Sequence, residues 1–292
     1  MRDRLQLGLM LAPYLAGLAV LVVLPAVAGF GLAFTDFDAV RPPRFVGLAN
    51  LREMLGDDIF RIAVGNSLLY IALAVPLRLV GALLTARLLL RPFRGVHAYR
   101  AAVYLPTVIP DLAWSLVWLW ILNPVYGPLN QALALIGITG PAWMTGQASA
   151  RLAIVLMMAW QIGEGFVVCI AALQTVPRDL LDQAAIDGAS PWSVFRTVTL
   201  PAIAPVLLVL LARDTIFSFQ ANFVPALIVG RGGGPDYATT FLPMYVYTTA
   251  FGYLRFGYAA AMTLAMYAVT GVVLWLQYRV ALRWRIGFAD GP

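Results

Sequence analysis

The 292-residue chain is 61% hydrophobic and only 12% charged, with a net charge of +6 and a mean hydropathy of +0.82. Soluble domains carry about twice that charged fraction, so a soluble globular fold is excluded. All 20 basic residues are arginine, which rules out a P-loop, and lone His97 and Cys169 assemble no zinc, Ser-His-Asp or Cys-His centre and no internal disulfide.

Apolar runs of roughly 18 residues or more, each long enough to cross a hydrocarbon core, recur along the chain. The first, Leu7–Phe34, exceeds a signal-peptide h-region and lacks a convincing cleavage site, so it reads as a retained span. A long mixed-charge connection, FDAVRPPRFVGLANLREMLGDD, leads to a second span at 62–90. The basic turn RPFRGVHAYR precedes a third at 101–122. A connection holding NPVYGPLN and a short apolar patch suited to the membrane surface leads to a fourth at 152–173. Residues 174–204 are polar, the fifth span follows at 205–229, and GRGGGPDYATTF leads to the sixth at 257–281. The expected fold is an all-α membrane protein, six transmembrane helices in a single domain, 1–292.

With Arg78 and Arg213 inside spans, a cytoplasmic N-terminus leaves eleven arginines on that side. Seven lie opposite: Arg41, Arg44, Arg52, Arg61, Arg151, Arg231 and Arg255. The asymmetry predicts both termini in the cytoplasm. Arginines gathered at span ends also argue against a nucleic-acid-binding stripe. The two three-span halves differ in loop length and composition, so no internal repeat encloses a pathway within one chain.

The polar segment has its own punctuation. Pro177 suits a first helical turn and Asp179 the positive end of the helix dipole. Gly188 supplies a left-handed cap after a short helix ending near Asp187. Ser190 followed by Pro191 starts a second helix, expected to stop near Thr199, before Pro201. Leu180, Leu181, Ala184 and Ala185 share the face expected to meet the spans, while Arg178, Asp182, Gln183 and Ile186 face water. A solvated amphipathic connector is the plainest reading of such a loop.

Five ionisable residues fall near mid-span: Arg78, Asp111, Glu164, Arg213 and Asp214. Each costs about 2.5–3.5 kcal/mol at a helix centre, so each is expected to face other helices or a cavity. Pairing of Arg78 or Arg213 with Glu164 or Asp214 is one reading, and a solute pathway is the other. Asp111, Trp114, Ser115 and Trp118 share a face by spacing, as do Asp214, Ser218 and Asn222, and as do Gln161 and Glu164. Carboxylates, amides and an aromatic platform suit a hydroxylated solute, which makes Asp111, Trp114, Gln161, Glu164, Asp214, Ser218 and Asn222 pathway candidates. A self-sufficient proton-coupled carrier, with Glu164 or Asp214 as relay, is the alternative. A membrane enzyme is disfavoured, since no nucleophile-base or metal set exists.

DQAAIDGA, Asp182–Ala189, resembles the EAA motif of inner-membrane subunits of ATP-binding-cassette importers. Asp182 stands at the Glu position and Gln183 at the first Ala. Ala184 is the second, while Asp187, Gly188 and Ala189 match the DGA, and Phe195 and Pro201 the downstream pattern. FVGLANL (Phe45–Leu51), Asn66–Ser67–Leu68, YGPLN (Tyr126–Asn130) and GGP (Gly233–Pro235) with Thr239 are similar to the maltose-like first-permease branch. Asp for Glu keeps the charge on a shorter arm.

The resemblance implies a permease in a bacterial or archaeal cytoplasmic membrane, forming half of a pathway for a carbohydrate-like solute. It implies a second related permease, two ATPase subunits that hydrolyse ATP, and an extracytoplasmic solute-binding protein. No cofactor or catalytic residue belongs to this chain on that reading, and its partners besides lipid are proteins. Asp182, Gln183, Ala184, Asp187, Gly188, Ala189 and Phe195 then form the coupling segment between spans four and five. No motif encodes the solute's identity.

Overall fold

The computed structural model describes residues 2–221 and 223–283. α1 (Arg2–Leu18) passes through a π-helical turn, Ala19–Val23, into α2 (Leu24–Leu32). A two-stranded antiparallel ribbon, β1 (Thr35–Asp36) with β2 (Arg44–Phe45), pairs Thr35 with Phe45. Then come α3 (Ala49–Gly56), α4 (Asp58–Leu88), α5 (Val96–Val108), α6 (Asp111–Ile121) and α7 (Pro128–Leu135). α8 (Gln147–Ala159), α9 (Gly163–Gln174), α10 (Arg178–Ile186), α11 (Pro191–Val194) and α12 (Leu200–Ala221) follow. α13 (Phe223–Val229), α14 (Leu242–Tyr247) and α15 (Phe256–Arg283) complete the order.

Among the described residues, four helices are long and apolar enough to cross a membrane: Gln6–Leu32, Asp58–Leu88, Pro191–Gln220 and Phe256–Leu282. Two bent pairs, α5 with α6 and α8 with α9, raise the number to as many as six if each pair is one span. The structure departs from the expected third, fourth and fifth spans. The stretch 101–122 is broken by 103° between Val108 and Asp111. Ile109 precedes Pro110, whose ring forces it out of the helical region, and it is extended at φ −72°, ψ 127°. Within 152–173 the bend is 47°, next to Gly163. The helix expected to stop before Pro201 instead runs from Pro191 to Gln220, and 223–229 is a separate helix. A π turn at Phe195–Thr199, closed by the Leu200 N–H on the Phe195 carbonyl, widens the ladder where Pro201 brings no donor.

The chain forms two compact units. The first reaches to Arg61 and takes in Tyr245–Ala268. Its connections are held by side chains that satisfy backbone groups: Asn50 donates to the Ala33 and Thr35 carbonyls, both at 2.9 Å. Asp57 closes the start of α4, its Oδ1 accepting the N–H groups of Ile59 and Phe60 at 2.9 and 3.1 Å. Its Oδ2 accepts the hydroxyls of Tyr245 and Tyr258, each at 2.6 Å. Arg255 adds a salt bridge to Glu53 at 2.7 Å and lies over the Tyr258 ring.

Burial pushes the Asp57 carboxyl up, but the two tyrosine hydroxyls and two backbone donors outweigh it and hold the carboxyl below its ordinary 3.8. A depressed carboxyl stabilises the fold above its unfolded value, and that contribution disappears as pH falls through the folded value. Asp57→Asn is therefore expected to lower the thermal midpoint at pH 7 and to flatten its decline below about pH 4. Unfolding in detergent across this range checks it; identical acid slopes for both proteins contradict the assignment.

The second unit comprises Ile62–Met244 and the chain from Val269 onward. Two more asparagines act as staples. Asn66 donates to the Tyr237 and Thr240 carbonyls at 2.8 and 3.0 Å, and neighbouring Ser67 accepts the Leu242 N–H at 2.9 Å. Asn130 donates to the Pro124 and Pro141 carbonyls and accepts the Trp143 indole N–H at 2.7 Å. A continuous apolar core joins α4, α9 and α12 through Ala82, Ala86, Phe166, Cys169, Leu173, Ile203 and Leu210.

Candidate functional site

The two breaks in the bent pairs meet at one place. α5 packs against α9, and α9 against α12. Gly163 permits the approach to α5, since a Cβ there would run into the Thr107 hydroxyl and the Tyr104 backbone. Each break begins a new helix with a carboxylate in its first turn, Asp111 in α6 and Glu164 in α9. Acidic groups are favoured at that end of a helix, so interruption of the span sets each charge where a continuous helix offers no free N–H.

A cavity of about 90 Å³ lies between these breaks, α4 and α12, lined by Arg78, Thr107, Asp111, Gln161, Glu164, Arg213, Asp214 and Phe217. At ~30 Å³ for each water in the liquid, it holds a few waters and is too small for a sugar ring. An ion-pair chain occupies its wall. Arg78 meets Asp214 at 3.3 Å, Arg213 meets the other Asp214 oxygen at 3.3 Å, and Arg213 also pairs with Glu164. Arg78 is 5% exposed and adds a long 3.5 Å contact to the Ser218 hydroxyl. Its Nε and the Thr107 hydroxyl are buried with no hydrogen-bond partner among the described residues. Among the described residues, no ion pair engages Asp111.

Four pathway candidates, Asp111, Gln161, Glu164 and Asp214, thus line one cavity. Ser218 shares the Asp214 face but is buried against Arg78, and Trp114 is buried on α6 in an edge contact with Trp118. Neither lines the cavity: Trp114 and Ser218 each stand one helical turn beyond the carboxylate of their own helix that does, Asp111 on α6 and Asp214 on α12. Asn222 lies outside the described residues. Thr107 and Phe217 were not singled out in the sequence; only Thr107's place three residues before Pro110 hinted at a break.

Polar segment geometry follows its punctuation. Gly188 sits at φ +74°, the Ala189 N–H closes on the Ala184 carbonyl at 3.0 Å, and nothing lies within 4 Å of a Cβ built on the glycine. Ser190 accepts the Ser193 N–H at 3.2 Å, with Pro191 starting α11. The inward face of α10 is narrower than expected: Leu181 and Ala184 are half-buried, while Leu180 and Ala185 are exposed. A nine-residue helix touching its support along one stripe covers only positions i and i+3. Asp182, Gln183, Ile186 and Asp187 are exposed. Leu181 packs on the core that contains Leu210 and Ala82, and both of these also line the cavity. The segment and the cavity are therefore joined by continuous packing.

The chain is 31% identical over 287 residues to the probable ABC transporter permease protein YesP of Bacillus subtilis, covering 97% of this chain and 92% of that one. It is 31% identical over 284 residues to the sulfoquinovosyl glycerol transport system permease protein SmoG of Agrobacterium fabrum, covering 95% and 91%. A chain in the crystal structure of a bacterial ABC transporter involved in the import of the acidic polysaccharide alginate shares the fold. The TM-score is 0.80 over 97% of this chain and 96% of that one, at 23% identity. Residues 78–286 match the family described as binding-protein-dependent transport system inner membrane component. With several membrane-crossing helices and relatives that are transport permeases, the chain belongs to this family of inner-membrane transport components.

Proposed function

We propose that this chain is a permease subunit of an ATP-binding-cassette importer. It forms half of the pathway for a carbohydrate-like solute, and separate ATPase subunits drive it through the segment Asp182–Phe195. The observation that carries the reading is the unbroken packing from Leu181 of α10 to the walls of an ion-paired cavity between broken spans. Rigid packing transmits a push at one end to the other. Relatives named for sulfoquinovosyl glycerol, sn-glycerol-3-phosphate and starch degradation products support a polyhydroxylated solute.

A cavity too small for a sugar in one chain supports a pathway completed by a second, related permease. The missing P-loop supports ATP hydrolysis by two partner subunits, with an extracytoplasmic binding protein delivering solute. The chain is multi-pass with both termini cytoplasmic, so its polar segment faces the ATPases. A proton-coupled carrier acting alone is not favoured, because the family works with binding proteins.

Purification of the tagged chain from its native membrane is expected to recover a second permease and a cytoplasmic ATPase. The chain alone in liposomes is expected to show no concentrative uptake of labelled oligosaccharides or glycerol phosphates; uptake by that preparation would overturn the reading.

A further inference from the structure

The last turn of α4 carries Arg87, whose guanidinium carbon lies 4.2 Å from the centroid of the Phe195 ring. Trp192 stacks on the same ring, centroids 5.7 Å apart and planes 29° from parallel. Arg87 is not needed to cap its helix. Arg100 does that, donating to the Leu89 carbonyl from Nε and Nη2 at 3.2 and 2.7 Å.

The backbone joins the polar segment to α9 on one side and to α12 on the other, but not to α4. Apolar contact through the core does reach α4, at Ala82 and Ala86. Such contact is non-directional, and packed helices slide on it in shear motions. A cation held over a ring fixes position and register together. We infer that Arg87 is a positioning residue that clamps the 182–195 segment to α4. Displacement of the segment then carries α4 with it, and with α4 the Arg78 end of the ion-pair chain. The inference rests on the proposed reading of this segment as the place where ATPase motion enters.

The test uses the complex purified from native membranes and reconstituted in liposomes. Gln161→Cys, in a Cys169→Ala background, reports on the cavity through its reaction rate with a small hydrophilic thiosulfonate. Rates are compared without nucleotide and with ATP plus vanadate. Arg87→Ala is expected to shrink the nucleotide effect about two- to five-fold, the shift set by one partly exposed cation–π contact, while the rate without nucleotide stays unchanged. Phe195→Leu is expected to shrink it equally, the double variant no further, and Arg87→Lys to retain most of it. A full nucleotide effect in both Arg87→Ala and Phe195→Leu overturns the clamp. So does a fall in complex yield with the nucleotide effect intact, which marks a purely structural contact. Absence of any nucleotide effect with Arg87 and Phe195 both present refutes the importer reading itself and removes the clamp with it.

Discussion

Asp214→Ala is expected to destabilise the protein by about 3–5 kcal/mol, because it leaves a buried guanidinium without its counter-charge. Arg78 has 6% side-chain exposure, and Asp214 is its one carboxylate partner among the described residues. Glu164→Gln is expected to cost about 1 kcal/mol or less, since its side chain is 49% exposed and Arg213 keeps Asp214 at 3.3 Å. Arg78→Met with Asp214→Leu should recover most of the loss, as apolar replacement of a buried pair is often neutral. Thermal midpoints in detergent and the amount of protein in the membrane measure all three. Equal losses for Asp214→Ala and Glu164→Gln, or a double variant as unstable as the single, contradict the ranking.

The second large effect belongs to Gly188. Its Cβ direction is open, so no clash opposes a side chain and the cost is purely that of φ +74°. Gly188→Ala should therefore retain part of the coupling, at about 1 kcal/mol of backbone strain, whereas β-branched Gly188→Val should reshape the turn. Reorientation of α10 by that change is expected to abolish solute-stimulated ATP hydrolysis in the assembled importer while the chain stays in the membrane. Asp182→Lys, which inverts an exposed charge on the same segment, should do likewise. Normal stimulation in both Gly188→Val and Asp182→Lys refutes the coupling role.

Local chemistry made much of this legible in advance. Gly188, Ser190 and Pro191 encode their turn within four residues, so the cap geometry follows from side chains that act on adjacent backbone. Hydropathy likewise marked the apolar stretches that form the long helices Gln6–Leu32, Asp58–Leu88 and Phe256–Leu282, because burial in lipid demands length and composition whatever the tertiary contacts. The breaks were harder. Pro106 and Pro110 stand in plain view, yet proline bends some membrane helices and interrupts others, and the outcome depends on neighbours that resatisfy the freed carbonyls. Spacing placed Asp214 and Ser218 on one face, but it carried no information on depth, so Ser218 beneath Arg78 looked the same as a cavity position. The pairing of Arg213 with Glu164 joins residues 49 positions apart and depends on the bend at Gly163.

The Asn66 staple sets an order on biosynthesis. Its two acceptor carbonyls lie 171 and 174 positions further along the chain. A ribosome adding about 5–20 residues each second delivers them roughly 9–35 s after Asn66 itself. Throughout that interval the Asn66 amide and the Ser67 hydroxyl lack the partners they hold in the folded chain. Completion of α4 therefore waits on the loop that leads into α14, which is made long after the helix itself.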